Sequence, residues 1–301
     1  MAYATAAKCE PISADPAQVR VEASLDLAFE LVASTGQTIL AASRQDPPLK
    51  VVRAFPLADG AALIHLHNVS GGLLGGDQLS LRAQIGAGAR VQITTTGATR
   101  IYRPRKEAAA TTQVNEIIVA EGALLEYLPD AIIPYAGCRF SQRTTIQLAA
   151  GAGLFWWEVL APGREARAEI FEYERVHLKM DIAALGRPIA AERVRLEPQS
   201  RAMDSLARLG PYRTWATFYI CREGLDAKTW LALERELREV AEKITRPGDA
   251  LWGFSTLVSH GLAVRCVARH GRDTLPGLHM LWRAAKLRLY NREAVPPRKV
   301  G

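Results

Sequence analysis

The sequence predicts a mainly β protein, built as stacked, solenoid-like β layers, with two helices toward the C-terminus. Three observations carry this expectation. A long stretch near the start alternates with a period of two, a loose repeat of Gly-Ala turns follows, and two segments near the end repeat at steps of three and four.

The first strand is read from Val19 onward. Val19, Val21, Ala23, Leu25, Leu27, Phe29 and Leu31 are apolar, with Arg20, Glu22, Ser24, Asp26 and Glu30 between them. Successive side chains of a strand point to opposite faces, so this pattern gives one buried and one wet face. Ser34-Thr35-Gly36-Gln37 reads as a turn into a second strand. Short strand candidates continue to about residue 220, at 62–69, 79–85, 89–95, 113–119, 123–128, 144–148 and 154–160.

Three links between them look alike. Ile85-Gly86-Ala87-Gly88-Ala89, Val119-Ala120-Glu121-Gly122-Ala123 and Leu148-Ala149-Ala150-Gly151-Ala152 each carry a Gly-Ala step, and the interval between them is only loosely regular. Glycine there permits the positive φ of a tight turn. A loose repeat of this kind predicts stacked β layers rather than a βαβ array.

Asp226 can cap a helix with Trp230, Leu233, Leu237, Val240 and Ile244 on one face, stopped by Pro247-Gly248. A second helix is expected from about Leu275 to Arg292, with Leu278, Leu281, Ala285 and Leu289 aligned and Pro296-Pro297 beyond it. No linker or composition shift divides the chain, so 1–301 is read as one domain, with 1–18 as a disordered N-terminal segment.

Composition narrows the function classes. The apolar fraction is 49% and the charged fraction 23%, ordinary for a globular protein. No apolar run is long enough to span a bilayer, and Met1 to Pro16 lacks the pattern of a signal peptide. The chain is therefore read as cytoplasmic. The net charge of +7 fits an acidic partner or solubility. The basic residues are dispersed, which argues against nucleic acid. Cys9, Cys138, Cys221 and Cys266 form no CxxC pair, so Cys138, Cys221 and Cys266 read as buried free thiols in strand-like contexts.

Four motifs hold the chemistry. Gly71-Gly72-Leu73-Leu74-Gly75-Gly76-Asp77-Gln78-Leu79 is glycine-dense, yet a phosphate loop needs Lys and Ser/Thr where Asp77 and Gln78 stand. On the residues alone it reads as a close-packed turn between strands. Thr94-Thr95-Thr96, followed by Arg100-Ile101-Tyr102-Arg103, suits a strand with hydroxyls toward a polar interior or an ordinary strand and turn. Glu126 and Asp130 sit in the apolar run Leu125 to Tyr135, around Pro129, and buried carboxylates are costly unless paired, wet or metal-bound. Glu158, Glu165 and Glu169 lie beside Trp156, Trp157 and the Gly163-Arg164 step.

His65 and His67, at i and i+2 of one strand, are a candidate metal half-site or simply structural; no further ligand is near in sequence. HExxH and GxSxG are absent. A pair of these acids could serve a hydrolase acting on a glycan, and a solenoid-like binding module is the other alternative.

Taken in order, these four motifs resemble the UreD family of urease accessory proteins, called UreH in some organisms. The tail Asn291-Arg292-Glu293-Ala294-Val295-Pro296-Pro297-Arg298 resembles the family's C-terminal segment, so the likeness runs from about residue 20 to 298. It implies a helix-poor scaffold related to a distorted β-helix, without catalytic activity and without a tightly bound cofactor. It also implies a hetero-oligomer with UreF, with the GTPase UreG through UreF, and with apo-urease, in which Ni²⁺ passes transiently to the urease active site.

A nickel path should offer oxygen ligands that hold the ion weakly. Asp77, Glu126, Asp130, Glu158, Glu165, Glu169 and the hydroxyls of Thr94, Thr95 and Thr96 are the candidates, with Asp77 first as a transient metal contact. Gly71, Gly72, Gly75, Gly76, Arg103, Pro129, Gly163 and Arg164 are the motif's structural residues. Gln78 stands where many relatives carry an acid, and Lys299-Val300-Gly301 replace the usual aromatic end.

Overall fold

The computed structural model describes residues 21–104 and 109–297; the expected N-terminal disorder and the Lys299-Val300-Gly301 departure lie outside them. The chain forms β1 (Glu22–Val32), β2 (Gln37–Gln45), β3 (Leu49–Lys50), β4 (Phe55–Pro56), β5 (Ala62–Asn68) and β6 (Gln78–Ile85). Next come β7 (Arg90–Thr95), β8 (Thr99–Ile101), β9 (Thr111–Val119), β10 (Leu124–Tyr127), β11 (Ile132–Pro134), β12 (Arg139–Leu148) and β13 (Gly153–Leu160). The last part holds β14 (Arg175–Ala184), β15 (Arg187–Leu196), β16 (Thr214–Arg222), α1 (Ala227–Glu242), β17 (Ala250–Thr256), β18 (Gly261–Ala268) and α2 (Thr274–Tyr290).

Successive strands of the middle third alternate between two sheets. β6, β9, β12 and β14 pair in parallel in a seven-stranded sheet ordered β15-β14-β12-β9-β6-β1-β2. β5, β7, β10 and β13 pair in parallel in a second, eleven-stranded sheet ordered β17-β18-β16-β13-β10-β7-β5-β3 along its main path. This is a two-sided β-helix, and antiparallel strands continue both sheets at their flanks. The Gly-Ala repeat is its coil step: Ile85 lies beside Val119, and Val119 beside Leu148, so each repeat of the turn begins one new coil. Gly88, Gly122 and Gly151 have φ of 67°, 62° and 65°, and the turns stack through Gly88 N–H to Glu121 and Gly122 N–H to Ala150.

The first strand keeps its alternation. Ala23, Leu25, Leu27 and Phe29 are buried, while Glu22 and Glu30 are exposed. Between the sheets, Leu25, Phe29, Ile64, Ile93, Ile117, Ile146, Leu154 and Trp156 form one core. Full burial of each such side chain contributes about 1.5–3 kcal/mol.

The outer face of the second sheet is covered by the helices. Phe155, Trp157 and Phe218 meet Trp230, Leu233, Leu281 and Trp282 there. Asp226 caps α1 as expected, accepting the Thr229 N–H at 2.8 Å, and Trp230, Leu233 and Leu237 are buried. The hairpin of β17 and β18 separates the two helices. Among the described residues no helix is long and apolar enough to cross a membrane.

Candidate functional site

The glycine loop joins β5 to β6 and is pressed against residues 100–104. A Cβ on Gly72 would stand 2.5 Å from the Tyr102 ring, and one on Gly75 would stand 2.2 Å from Pro104 Cα. Gly71 and Gly76 have φ of 76° and 94°. Asp77 closes the loop: its Oδ2 accepts the Leu74 N–H at 2.8 Å, and its own N–H donates to the Leu74 carbonyl at 3.1 Å. Only 2% of Asp77 is exposed. Burial raises its carboxyl above the ordinary value, against the pull of the Leu74 and Val21 backbone amides. Asp77 thus holds the turn together through its backbone partners, and Gln78, half-buried, begins β6.

Glu126 and Glu158 are both buried, on opposite faces of the same sheet. β10 lies beside β13 with Glu126 level with Phe155, so Glu126 faces the helices. Its Oε1 accepts from Lys286 Nζ at 2.7 Å and its Oε2 from the Trp282 indole N–H at 2.6 Å. Asp59 adds a second carboxylate 3.7 Å from Lys286 Nζ. Burial pushes the Glu126 carboxyl up, resisted by the Lys286 ammonium.

Glu158 has the parity of Leu154 and Trp156 and therefore faces the space between the sheets. It accepts from the Gln142 amide of β12. Burial pushes it up to about 7; Gln142 and the Trp156 indole hold it down, and Glu192 raises it further. The Trp156 N–H does so without a hydrogen bond of full geometry.

Glu158 is one member of a polar seam through the apolar core. The seam starts at a cavity of about 240 Å³ under the glycine loop, lined in part by Gly71, Gly72, Thr95, Thr96, Gln113 and Tyr127. The Gln113 amide donates to Asn115 Oδ1 at 3.0 Å, and the Asn115 amide donates to Thr144 Oγ1 at 3.0 Å. Gln142 lies two positions before Thr144 on the same face and reaches Glu158. Thr217 stands directly across from Glu158 on β16 and accepts from Arg265 at 3.1 Å. Arg265 pairs with Glu192 at 2.8 Å, and Glu192 lines a second cavity of about 470 Å³ at the other end.

The remaining expected residues are distributed. Thr94 Oγ1 donates to the Leu128 carbonyl at 2.7 Å, Thr95 Oγ1 lies 3.2 Å from Asp130 Oδ2 and accepts the Asp130 N–H at 2.8 Å, and Thr96 is exposed. The Pro129 carbonyl accepts the Trp157 indole N–H at 2.9 Å. Glu169 is clamped by Arg164, whose guanidinium also lies 4.3 Å from the Tyr135 ring centre. A Cβ on Gly163 would stand 2.5 Å from the Glu169 carbonyl oxygen.

Glu165 sits on a 3-10 turn spanning Glu165–Arg167, and Arg103 packs over Gly137. His65 and His67 share one face of β5, since Ile64 and Leu66 point into the core; the His65 ring meets Phe55 edge-on, and His67 lines the cavity under the loop. Among the described residues no group of three or more His, Cys, Asp or Glu side chains is placed to hold a metal ion.

The geometry therefore brings Thr95 to Asp130 and Arg164 to Glu169, and it separates Asp77, Glu126 and Glu158 into three environments. It also adds residues that the motif reading passed over: Gln113, Asn115, Gln142 and Thr144 in the seam, and Lys286 against Glu126. A signal for the first four is present, because the coil step of the Gly-Ala repeat sets Gln142 beside Gln113 and Thr144 beside Asn115. For Lys286 the signal is its place one helical turn after Trp282, on the buried side of α2.

Comparison with known proteins adds a second line of evidence. The family model described as UreD urease accessory protein matches residues 21–300. A Herpetosiphon aurantiacus protein named urease accessory protein UreD is 47% identical over 274 residues, which are 91% of this chain and 95% of the relative. Proteins of the same name from Pseudomonas fluorescens strain Pf-5 and from Marinobacter nauticus are 31% and 36% identical, covering 92% and 69% of this chain and 93% and 70% of their own lengths.

Proposed function

The chain belongs to the UreD urease accessory protein family, and on that premise we propose that it is a non-catalytic urease maturation factor that conducts nickel through its interior. In this reading it binds UreF, and through UreF the GTPase UreG, and docks on apo-urease. Ni²⁺ is its cargo and not a resident cofactor.

The observation that carries the reading is the polar seam from the cavity under the glycine loop to the cavity beside Glu192. Amide and hydroxyl oxygens are hard, neutral ligands that bind a divalent cation weakly and let it move on, whereas a cluster of imidazoles or thiolates would retain it. Glu158 supplies the seam's buried carboxyl at its middle, and a carboxyl near neutrality exchanges its proton for a cation at little cost. Glu126 and Glu158 lie on opposite faces of one sheet, so they do not flank a common cleft as a hydrolytic acid pair would.

The test is co-expression with urease and the other accessory proteins, followed by metal analysis of purified urease. N115L and Q142M remove polar atoms from the seam while nearly keeping volume. Nickel in urease should fall several-fold while the variant proteins fold and still co-purify with UreF. Full metallation by both variants would refute the conduit.

A further inference from the structure

The second cavity has a feature that conduction does not call for. It opens beside β15, the terminal strand of the seven-stranded sheet, which pairs with β14 on one side only among the described residues. A one-sided strand presents an unpaired row of N–H and C=O groups, ready to take another strand. Along it, exposed Arg193 and Arg195, already paired with Asp181 and Glu197, alternate with Val194 and Leu196, which pack on the core.

The chain that follows β15 brings Arg201, Arg208 and Arg213 to the same cavity, and among the described residues none of these three is ion-paired with a carboxylate. Among the described residues Glu192 is the one acid in the lining, and Arg265 and the Tyr219 hydroxyl already engage it. The floor is apolar, with Phe171, Met203 and Trp215. Tyr173 also lines it, fully buried, and among the described residues its hydroxyl has no hydrogen-bond partner.

We infer that this edge and cavity form the docking site for an extended acidic segment of a partner protein, which adds to β15 as a further strand. Its acidic residues would meet Arg201, Arg208 and Arg213, and alternate apolar residues would enter the cavity. A small inorganic anion would leave the apolar floor unused, and a nucleic acid would leave the strand edge unpaired. This inference rests on the edge and its charges, and it holds whether or not the seam carries nickel.

The test uses the full chain and three short labelled peptides of equal length, at physiological salt. One alternates glutamate and valine, one alternates lysine and valine, and one is the glutamate peptide with backbone N-methyl groups along one edge. Anisotropy should show the glutamate peptide binding at least about ten-fold more tightly than either other peptide. The same loss should appear with R201E/R208E/R213E, or with R201Q/R208Q/R213Q if the reversal does not fold. Hydrogen exchange of residues 187–196 should slow when the glutamate peptide is bound.

If the arginines merely guard an edge against aggregation, no peptide binds at about 1 mM, and the inference fails. It also fails if the lysine and glutamate peptides bind equally, or if protection falls elsewhere.

Discussion

Glu126 on β10 and Lys286 on α2 are 160 residues apart in the chain and 2.7 Å apart in space, with 1% and 0% of their side chains exposed. The pair joins the β-helix to the C-terminal helix, and the Trp282 indole completes the carboxylate's hydrogen bonding. Removing one partner leaves a buried charge uncompensated, so K286M should cost about 3–5 kcal/mol. K286M/E126Q should cost less than K286M alone. Urea unfolding of the four proteins of this cycle measures the coupling.

Asp77 predicts a stability effect that is separate from cargo transfer. D77A leaves the Leu74 N–H, in a part-buried turn, without its acceptor and should lower stability by about 0.5–1.5 kcal/mol. Thermal unfolding reads this in the isolated protein. An unchanged melting temperature would mean that the loop finds another acceptor.

The glycines of the loop should differ among themselves. G75A drives a methyl group into the Pro104 backbone, so the loop must separate from residues 102–104. Among the described residues G76A meets nothing within 4 Å and adds the cost of a positive φ, about 1 kcal/mol. G75A should therefore lower the melting temperature more than G76A.

Glu158 sets a pH dependence with a definite sign. Its folded value of about 7 lies above the usual 4.5, so the folded protein binds more protons across that interval. Its contribution to stability is complete below the unfolded value and is lost as pH rises through the folded one, by about 3 kcal/mol in all. E158Q should flatten the stability profile over this range, measured by unfolding at several pH values. A wild-type profile that rises through that range would show the carboxyl to be ionised in the fold.

Much of the scaffold is legible in the residues. The alternation of Ala23 to Phe29 reports a sheet with one covered face, and Asp226 before Trp230 and Leu233 marks the start of α1. The hairpin of β17 and β18 is not: β18 is buried along most of its length, and an almost continuous apolar run has no period to separate strand from helix. β15, rich in arginine and half-exposed, lacks a strand's usual composition because it ends its sheet with one side toward solvent.

The motifs located acids in apolar surroundings but could not distribute them. Glu126 and Glu158 look equivalent in the sequence, each an acid beside large apolar residues, and Asp77 is set apart only by its glycines. One accepts a loop amide, one meets Lys286, and one lies in a polar seam.

By itself the sequence determined the β class, the coil step and the two helices, because these depend on short-range periodicity and turn chemistry. Tertiary structure alone decided which acid faces the helices and which faces the opposing sheet. Both faces of the central sheet are covered, so residues on either side are apolar and the alternation that would reveal direction is erased. Partners such as Lys286 then come from segments whose distance along the chain carries no local signal.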